Sequence, residues 1–543
     1  MRRKIMAFAL VIVLFVGGIP AVSGCAKKTE QTMKTETVIE DMPGWMLHAD
    51  DEVTLDWYVN YSWFVTSWGG NLVSDTITEE TGVSVNFITP LGNEQEKLDS
   101  LIASDSLPDI ITLGWWETQV SEMISKEMVY ALNELADEYD PYFYEVSDPE
   151  VVRWYTQEDG NIYGYPNSSY TPTDLETYDN IPANQTFLVR KDIYEAIGSP
   201  DMTTKEGFYK AVLKAKEMFP EIDGEPLIPI GAHVFNEEGC VSFDQYLQNF
   251  LAIPHEVDGK FYDRNTDPEY LEWLKVFRAL GEEGCLAPDI FVDTRTQMSE
   301  KLAKGRYFCM LYQRTDMADQ QKILYDRDPN SIYIAVDGPK NSKGDDPQLP
   351  STGITGWTIT LISKNCKRPD RAIEFLDYLM SEHGQMITYL GVEGITYDII
   401  DGQVVVKEEV KQILNTDRMT YDQMYGADDA YWMLQNNVMQ QQWNVGLEEP
   451  LKQMAEWTYP YTRYLGQYEL HNMDSLELAE KKTRLDKLWG TTLKKLLLAE
   501  SDEKFDEIVE DYKKERVNLD FDRMMEEYTR LMNENKQKLG MDE

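Results

Sequence analysis

The hydrophobic pattern of residues 53–113 predicts short strands that alternate with helices of about ten residues. Residues 53–59 alternate apolar and polar side chains, which is the period of a half-buried strand. Residues 71–81 have helical spacing and end at Gly82, a residue that commonly closes a helix. The alternation continues with a strand at 83–88, a helix at 93–103 and a strand at 109–113. This order predicts βαβ units and a largely parallel sheet.

The same pattern returns over the next 270 residues or so and then changes to helix alone. Thr203 and Glu206 form the two ends of a capping box, and Asp267-Pro268 supplies a helix start. Asp401-Gly402 between apolar runs predicts a hairpin, and residues 475–538 read as helix throughout. The remaining predictions are strands at 186–190, 307–312 and 354–363, a short apolar segment at 227–230, and helices from 203 to 218, from 267 to 280, ended by Gly281, and from 369 to 380. The predicted class is α/β.

The first 25 residues have the order of a secretory signal. A basic start is followed by the apolar run 5–16, which is too short to span a bilayer, and by Val22-Ser-Gly-Cys25. That last segment resembles the bacterial lipobox, whose cysteine receives a diacylglycerol and becomes the new N-terminus. We therefore expect a lipoprotein signal peptide at 1–24, then a lipidated, palmitate-type N-terminus and flexible tether at 25–48. An ordinary secretion signal with a chance cysteine is the alternative.

Composition and charge narrow the function further. Removal of 24 residues leaves 519 of 543, enough for at least two folded units. The 51 basic and 96 acidic residues give a net charge of −45, and loss of the three basic residues of the signal takes it to −48. Such a charge repels nucleic acid and anionic lipid headgroups, so we expect neither as a partner. The charge keeps a secreted protein soluble, and it does not imply a cationic ligand.

Cysteine and histidine spacing gives no metal or redox motif. Cys240, Cys285, Cys309 and Cys366 are scattered, so we expect buried free thiols, with disulfide pairing left open. The histidines have no H-E-x-x-H spacing, and the chain has no G-x-S-x-G elbow or P-loop. We expect no cofactor. No twelve-residue loop fits an EF-hand, although a structural calcium ion held by acidic loops is left open.

Seven segments occur in the order in which they occur in one known family. They are Ser106–Ile111, Asn161–Pro166, Leu188–Asp192 with Thr203–Glu206, Lys304–Met310, Phe375–Leu379 with Ser381–Gln385, Gly391–Tyr397, and Ser501–Asp506 with Met524–Tyr528. With the lipobox before them, the chain resembles the large family 1 extracellular solute-binding lipoproteins of carbohydrate ABC importers in Gram-positive bacteria. Phe308-Cys309 departs from the smaller residues usual in that family.

The resemblance implies a two-lobed periplasmic-binding-protein-like fold of type II, with a hinge between the lobes, a ligand cleft and a helical C-terminal region. We expect lobe 1 to comprise 49–160 plus 314–385, and lobe 2 to comprise 161–313 plus 386–543. The implied protein is a monomer, anchored on the outer face of the cell membrane, that hands its ligand to permease subunits.

Candidate ligand residues come from the loops after predicted strands, because ligands of open α/β sheets bind beyond the carboxyl ends of strands. A sugar cleft needs aromatic planes for C–H faces and polar groups for hydroxyls. The aromatic candidates are Tyr61, Trp63, Trp68, Trp115, Trp116, Tyr163, Tyr165 and Trp357. Packing is the alternative for each. Trp273, at helical spacing with other apolar residues, is predicted to be core.

Two charged candidates complete the set. Arg314 follows a predicted strand and could fork onto vicinal hydroxyls or a uronic carboxylate, with a structural ion pair as the alternative. Glu393, between two glycines, could accept two hydroxyl hydrogen bonds, with a surface turn as the alternative. The leading hypothesis is a non-catalytic oligosaccharide receptor. A receptor for peptides or another solute and a lipid-anchored glycoside hydrolase are the alternatives.

Overall fold

The computed structural model describes residues 42–443, 449–470 and 476–541. The predicted signal peptide, Cys25 and most of the predicted tether lie outside the described residues. The described strands are β1 (Val53–Val59), β2 (Val83–Ile88), β3 (Ile110–Gly114), β4 (Gly164–Pro166), β5 (Gln185–Arg190), β6 (Glu221–Ile222), β7 (Glu225–Pro226), β8 (Ile228–Gly231), β9 (Glu256–Val257), β10 (Lys260–Phe261), β11 (Tyr307–Gln313), β12 (Tyr333–Ala335), β13 (Leu349–Pro350), β14 (Thr358–Ile362), β15 (Tyr397–Ile400), β16 (Gln403–Val406) and β17 (Thr462–Arg463).

The helices surround these strands and fill the C-terminal part of the chain. In chain order they are α1 (Gly44–Leu47), α2 (Leu72–Thr81), α3 (Glu94–Ala103), α4 (Thr118–Ser125), α5 (Leu132–Glu138), α6 (Phe143–Val146), α7 (Pro149–Tyr155), α8 (Pro172–Thr177), α9 (Lys191–Ala196), α10 (Lys205–Met218), α11 (Leu247–Phe250), α12 (Pro268–Glu282), α13 (Arg295–Ala303), α14 (Ala318–Arg327), α15 (Pro369–Met380), α16 (Glu382–Leu390), α17 (Glu408–Thr416), α18 (Arg418–Met424), α19 (Asn437–Gln440), α20 (Lys452–Thr458), α21 (Leu476–Leu497), α22 (Asp502–Val517) and α23 (Phe521–Lys538).

Two larger sheets form the centres of two lobes. The first has the order β2-β1-β3-β14-β4, and the second has the order β12-β5-β11-β8. Side chains on both faces of each sheet are buried. In the second sheet, for example, Phe187 and Leu311 pack into one apolar cluster, whereas Leu188 and Met310 pack into another on the opposite face. This layered α/β arrangement confirms the predicted fold class.

The prediction of a largely parallel sheet is wrong, because both sheets are mixed. β1 pairs in parallel with β2 and β3, but β14 lies antiparallel between β3 and β4. In the second sheet, β11 is parallel to β8 and antiparallel to β5, which is antiparallel to β12. Only strands joined by one βαβ crossover must run parallel. β14 follows β3 along the chain by more than 200 residues, so either direction is possible for it.

The local signals mostly confirm the predicted helices, with shifts at the ends. Asp267 caps the start of α12 and Gly82 closes α2 in the left-handed conformation, both as predicted, and Asn71 caps the start of α2. The predicted capping box at Thr203 is wrong. The next residue, Thr204, caps α10 by accepting the Gly207 N–H, while the hydroxyl of Thr203 binds Asp201.

Further boundaries differ from the prediction. α12 runs past the predicted glycine stop to Glu282, and the predicted strand 354–363 is reduced to β14. The predicted continuous helix at 475–538 consists of α21, α22 and α23. α21 packs on the second lobe, where Leu493 and Leu496 join the core beside Trp273, which is 1% exposed and confirms its predicted core position.

The strand pairings also show which segments enter each sheet. Residues 164–166 pair within the first sheet, and residues 333–335 pair within the second. The predicted lobe boundaries themselves stay a prediction. Cys240, Cys285, Cys309 and Cys366 are buried free thiols, as expected. Among the described residues, no helix is both long and apolar enough to cross a bilayer.

Candidate functional site

One edge of the first sheet gathers most of the aromatic candidates. Tyr61 and Trp63 follow β1, and Trp115 and Trp116 follow β3. Trp357 immediately precedes β14, which is antiparallel to β3, so the start of β14 lies at the same edge as the end of β3. The rule that ligands bind beyond the carboxyl ends of strands therefore predicted a real grouping of side chains.

Four of these rings form an aromatic cluster, composed of Tyr61, Trp63, Trp357 and Trp432. The ring planes of Trp63 and Trp357 are within 8° of parallel, with centroids 6.0 Å apart. Tyr61 contacts both rings at 5.3 and 5.4 Å, and Trp432 lies 4.5 Å from Trp357 and 5.7 Å from Trp63. Trp63 is 54% exposed, while Trp432 is buried beneath. The cluster therefore presents a large aromatic surface on a rigid base.

A buried asparagine holds two of these rings in place. The backbone carbonyl of Asn167 accepts the backbone N–H of Trp357 at 3.2 Å. The side-chain amide of Asn167 donates to the backbone carbonyl of Trp432 at 2.9 Å. Its side-chain oxygen also accepts the Thr358 N–H. Gly356 makes this approach feasible, because its φ is +66° and a Cβ there would collide with the Asn167 carbonyl.

Carboxylates lie next to the aromatic cluster. Glu117 accepts one hydrogen bond from the Gly114 N–H at 2.8 Å and one from the Asn60 side chain at 2.7 Å. Glu94 accepts from the N–H and hydroxyl of Ser62. Burial raises the pKa of Glu117, and burial together with the two carboxylates raises the pKa of Tyr61. Each carboxylate keeps lone pairs that can accept ligand hydroxyls.

Trp115 and Trp116 form a second aromatic pair beside Glu117. Their rings meet edge to face with centroids 6.0 Å apart. Trp116 is 46% exposed, whereas Trp115 packs partly against the apolar cluster of Ile111 and Leu113. Both candidates therefore lie at the same edge of the sheet as the aromatic cluster.

The side chains of three other aromatic candidates form hydrogen bonds within the protein. Trp68 donates to the Thr78 hydroxyl at 2.9 Å and packs against Phe375. The Tyr165 hydroxyl accepts the Asp148 N–H, and the Tyr163 hydroxyl donates to Asp159. Glu393 is exposed and lies in a turn that bridges to Tyr397. The ligand roles of these four residues stay predictions.

The corresponding edge of the second sheet is charged. β8 and β11 are parallel and end at this edge, so the residues that follow them lie close together. Arg295 donates to Asp316 at 2.9 Å and lies 3.2 Å from His233. Burial and the adjacent Arg295 lower the pKa of His233, so its imidazole is neutral at pH 7. We call Arg295, Asp316, His233 and Arg314 the charged edge.

Arg314 is the predicted member of the charged edge. Its Nε donates to the Ala183 carbonyl at 2.9 Å. The predicted alternative of a structural ion pair is not formed within the described part of the chain, since the guanidinium has tyrosines, Tyr170 and Tyr459, as its ionisable neighbours. Burial lowers the pKa of Arg314 to about 10, so it remains protonated at neutral pH.

Sequence reasoning missed several residues of both edges. Trp432 follows no strand and lies in a short helical turn, which gave no periodic signal. Asn167 does follow a strand, but β4 is only three residues long. His233 follows the predicted apolar segment 227–230 and could have been found by the same edge rule, whereas Arg295 comes from a helix start. Over the described ranges, no group of three or more His, Cys, Asp or Glu residues could hold a metal ion.

Comparison with known proteins relates this arrangement to a family. The chain is 22% identical to lipoprotein LipO of Bacillus subtilis over 328 residues, which cover 58% of this chain and 61% of LipO, less than two thirds of that relative's length. It is 19% identical to the polygalacturonan/rhamnogalacturonan-binding protein YtcQ of Bacillus subtilis, over 79% of this chain and 82% of YtcQ.

Solved structures share the fold. The alginate-binding protein AlgQ2 superposes with a TM-score of 0.66 at 19% identity, covering 89% of this chain and 99% of AlgQ2. The Streptococcus pneumoniae substrate-binding protein FusA, in complex with kestose, superposes with a TM-score of 0.65 at 15% identity, covering 89% of this chain and all of FusA. Residues 71–386, more than half of the chain, match the model of the family described as bacterial extracellular solute-binding protein. The chain belongs to the bacterial extracellular solute-binding protein family.

Proposed function

We propose that this protein captures an oligosaccharide at the aromatic cluster, between its two lobes, and delivers it unchanged to the permease of an ABC importer. The observation that carries the proposal is the pair of nearly parallel tryptophans, Trp63 and Trp357, with Trp63 more than half exposed. An aromatic ring offers a flat apolar surface to the C–H face of a sugar. The adjacent carboxylates of Glu94 and Glu117 supply acceptors for its hydroxyls.

The magnitudes favour a sugar that covers more than one ring. Burial of apolar surface contributes about 25 cal/mol per Å², so one stacked sugar gains only a few kcal/mol before the cost of association. A ligand that contacts Trp63 and the Trp115–Trp116 pair together adds these gains. The proposed ligand is therefore an oligosaccharide, with a peptide receptor as the alternative that the binding experiment tests.

The relatives support the class of ligand. One is named a polygalacturonan/rhamnogalacturonan-binding protein, and another, 24% identical over 231 residues, is the fructooligosaccharide ABC transporter substrate-binding protein FusA. The solved neighbours include an alginate-binding protein. By extension we propose a non-catalytic monomer that is anchored through a lipid on Cys25 at the outer face of the membrane.

Calorimetry against a panel of oligosaccharides and peptides tests the proposal. We expect an oligosaccharide to bind and to be recovered intact after overnight incubation. Cleavage of the sugar would contradict the receptor and favour a glycoside hydrolase, and binding of peptides alone would favour the other solute class. A melting-temperature screen is a rapid first step, because ligand binding raises stability by mass action.

Cell fractionation tests the proposed anchor. Replacement of Cys25 by Ala removes the thiol that receives the lipid, so we expect the variant protein in the medium and the wild type in the membrane fraction. Cys366→Ala is the matched control, because Cys366 is a buried thiol of the folded part. Retention of the Cys25 variant in the membrane fraction would exclude this anchor.

A further inference from the structure

Arg314 is fixed at one end and open at the other. It follows β11 directly, and its backbone N–H donates to the Asn184 carbonyl at 2.9 Å. The Nε donates to the neighbouring carbonyl of Ala183, also at 2.9 Å. With Nε occupied, the guanidinium can still offer Nη1 and Nη2, which form an end-on fork for two acceptor oxygens.

The charge of this fork is not neutralised by the described protein. Arg295, at the same edge, forms an ion pair with Asp316, so that pair carries no net charge. The groups beside Arg314 are the hydroxyl-bearing rings of Tyr170 and Tyr459, and no described carboxylate lies within ion-pair distance of it. A guanidinium that is withdrawn from water without a counter-charge is costly, and a bound anion removes that cost.

Two short segments connect the aromatic cluster to Arg314. Asn167, which holds Trp357 and Trp432, lies only three residues before Tyr170, a distance of at most about 10 Å along the chain. The second segment runs from Trp432 to Asn437, whose side chain lies beside the Tyr170 hydroxyl. Arg314 is therefore within reach of a ligand that also covers the rings, provided that the ligand has more than one sugar unit.

Unpartnered acceptors line the same region. The side-chain oxygens of Asn184 and Asn437 are buried, and each is without a hydrogen-bond partner in the described structure. Buried polar atoms nearly always have partners, so these two oxygens are acceptors that a bound water or a ligand hydroxyl would satisfy. They lie on the chain next to the Arg314 contacts, Asn184 through its own carbonyl and Asn437 through Tyr170.

We propose that Arg314 binds the carboxylate of a uronate residue through Nη1 and Nη2, and that the ligand is an acidic oligosaccharide whose neutral faces stack on the aromatic cluster. This inference rests on the proposed function and names its substrate class. A carboxylate fits because its two oxygens match the two parallel N–H bonds of an arginine fork. The protein's net charge of −45 does not oppose it, since fields of distant surface charges are screened within about 8–10 Å at physiological salt.

The experiment compares acids with their esters. Trisaccharides of galacturonate, mannuronate and glucuronate are each paired with the methyl ester, which has the same sugars without the charge. For at least one pair we expect the acid to bind about tenfold or more tightly than its ester in calorimetry, because charge-assisted hydrogen bonds are the stronger kind. In Arg314→Gln that ratio should fall to about one.

Arg306→Gln is the matched control, because Arg306 lies at the opposite end of β11 and pairs with Glu225. It should leave the ratio unchanged. Arg314→Lys keeps the charge but loses the fork, so its ratio should lie between those of the wild type and the glutamine variant. The wild-type comparison needs no variant and remains decisive if the Arg314 variants fail to fold.

The outcomes separate this inference from the proposed function. Equal binding of acid and ester, or a ratio that survives Arg314→Gln, would overturn the uronate assignment. Binding of neutral or sulfated oligosaccharides alone would also overturn it, while the proposed receptor function would stand. If no oligosaccharide of any kind binds, the proposed function itself is overturned, and the uronate assignment with it.

Discussion

The edge at which β3 ends in the first sheet and the edge at which β11 ends in the second are built from different chemistry. The first sheet ends in rings: Trp63 stacks on Trp357, and Asn167 holds Trp357 and Trp432 by hydrogen bonds to their backbone groups. The second sheet ends in charged groups, with the Arg295–Asp316 pair at the same edge as Arg314, which has no ion-pair partner among the described residues. Both edges follow the same topological rule, so topology decides where a ligand binds and side chains decide which ligand.

The difference predicts two kinds of response to change. Stacking on rings depends on shape and apolar area, which salt and pH hardly alter. Binding to an arginine fork depends on charge and therefore on the ionic strength and on the ligand's carboxyl group. The following variants and conditions separate the two edges.

Gly356→Ala should have the largest effect. Alanine is strained at a φ of +66°, and its Cβ would press on the Asn167 carbonyl, a backbone atom that cannot yield easily. We expect a loss of about 3 kcal/mol in the free energy of unfolding, together with a drop of more than about tenfold in oligosaccharide affinity, because Trp357 is displaced. Urea unfolding and calorimetry measure the two quantities.

Gly344→Ala is the control for this variant. Gly344 has a similar φ of +75°, but a Cβ there meets no atom within 4 Å. It should lose only about 1 kcal/mol of stability and no affinity, because the strain is present without the collision. Equal losses in the two variants would show that the contact with Asn167 is unimportant.

Trp63→Ala and Trp68→Ala should have opposite consequences. Trp63 is 54% exposed, so its removal should weaken oligosaccharide binding about tenfold or more with a small change in stability. Trp68 packs against Phe375 and Tyr431 and donates a hydrogen bond to Thr78. Its removal should lower the free energy of unfolding by about 3 kcal/mol and leave the affinity nearly unchanged. A loss of affinity in Trp68→Ala alone would place the ligand elsewhere.

These pairs show what could be predicted from the sequence. Trp63, Trp115 and Trp357 could be nominated because each adjoins a strand whose apolar pattern is local. Trp432 could not, since it reaches the cluster through tertiary packing from a short turn. The direction of β14 was also not predictable, because strand pairing over long separations depends on the crossover and not on local periodicity. Only the structure distinguishes the exposed Trp63 from the packed Trp68, because the two are the same residue type and differ in burial.

A partly buried carboxyl bonded to the segment before Trp357 should make stability depend on pH. Glu469 accepts the Thr355 hydroxyl, two residues before Trp357, and burial raises its pKa to about 7 from the usual 4.5. The folded state then binds this proton more tightly than the unfolded state, so the contribution to stability falls as the pH rises from 4.5 to 7. Glu469→Gln removes the ionisation, and we expect it to stabilise the protein by about 2 kcal/mol at pH 8 and much less at pH 5.

Urea unfolding at the two pH values measures this difference. Glu456→Gln is the matched control, because the Glu456 side chain is 52% exposed. It should show no pH-dependent gain. An equal gain for Glu469→Gln at pH 5 and pH 8 would mean that the carboxyl is not protonated in the folded state.

Salt should produce the smallest effect and should distinguish the two edges most directly. Between about 0.01 and 0.1 M salt the Debye length falls from about 30 to 10 Å, which removes the long-range repulsion between a chain of charge −45 and an acidic trisaccharide. Affinity for the acid should therefore rise about twofold over this range. Between about 0.1 and 1 M the contact with Arg314 is itself screened, and affinity should fall again by a similar factor.

The methyl ester, which depends on the rings alone, should bind equally throughout. Arg314→Gln should keep the rise and lose the fall, whereas a steady increase in the wild type would mean that no short-range cation contacts the ligand.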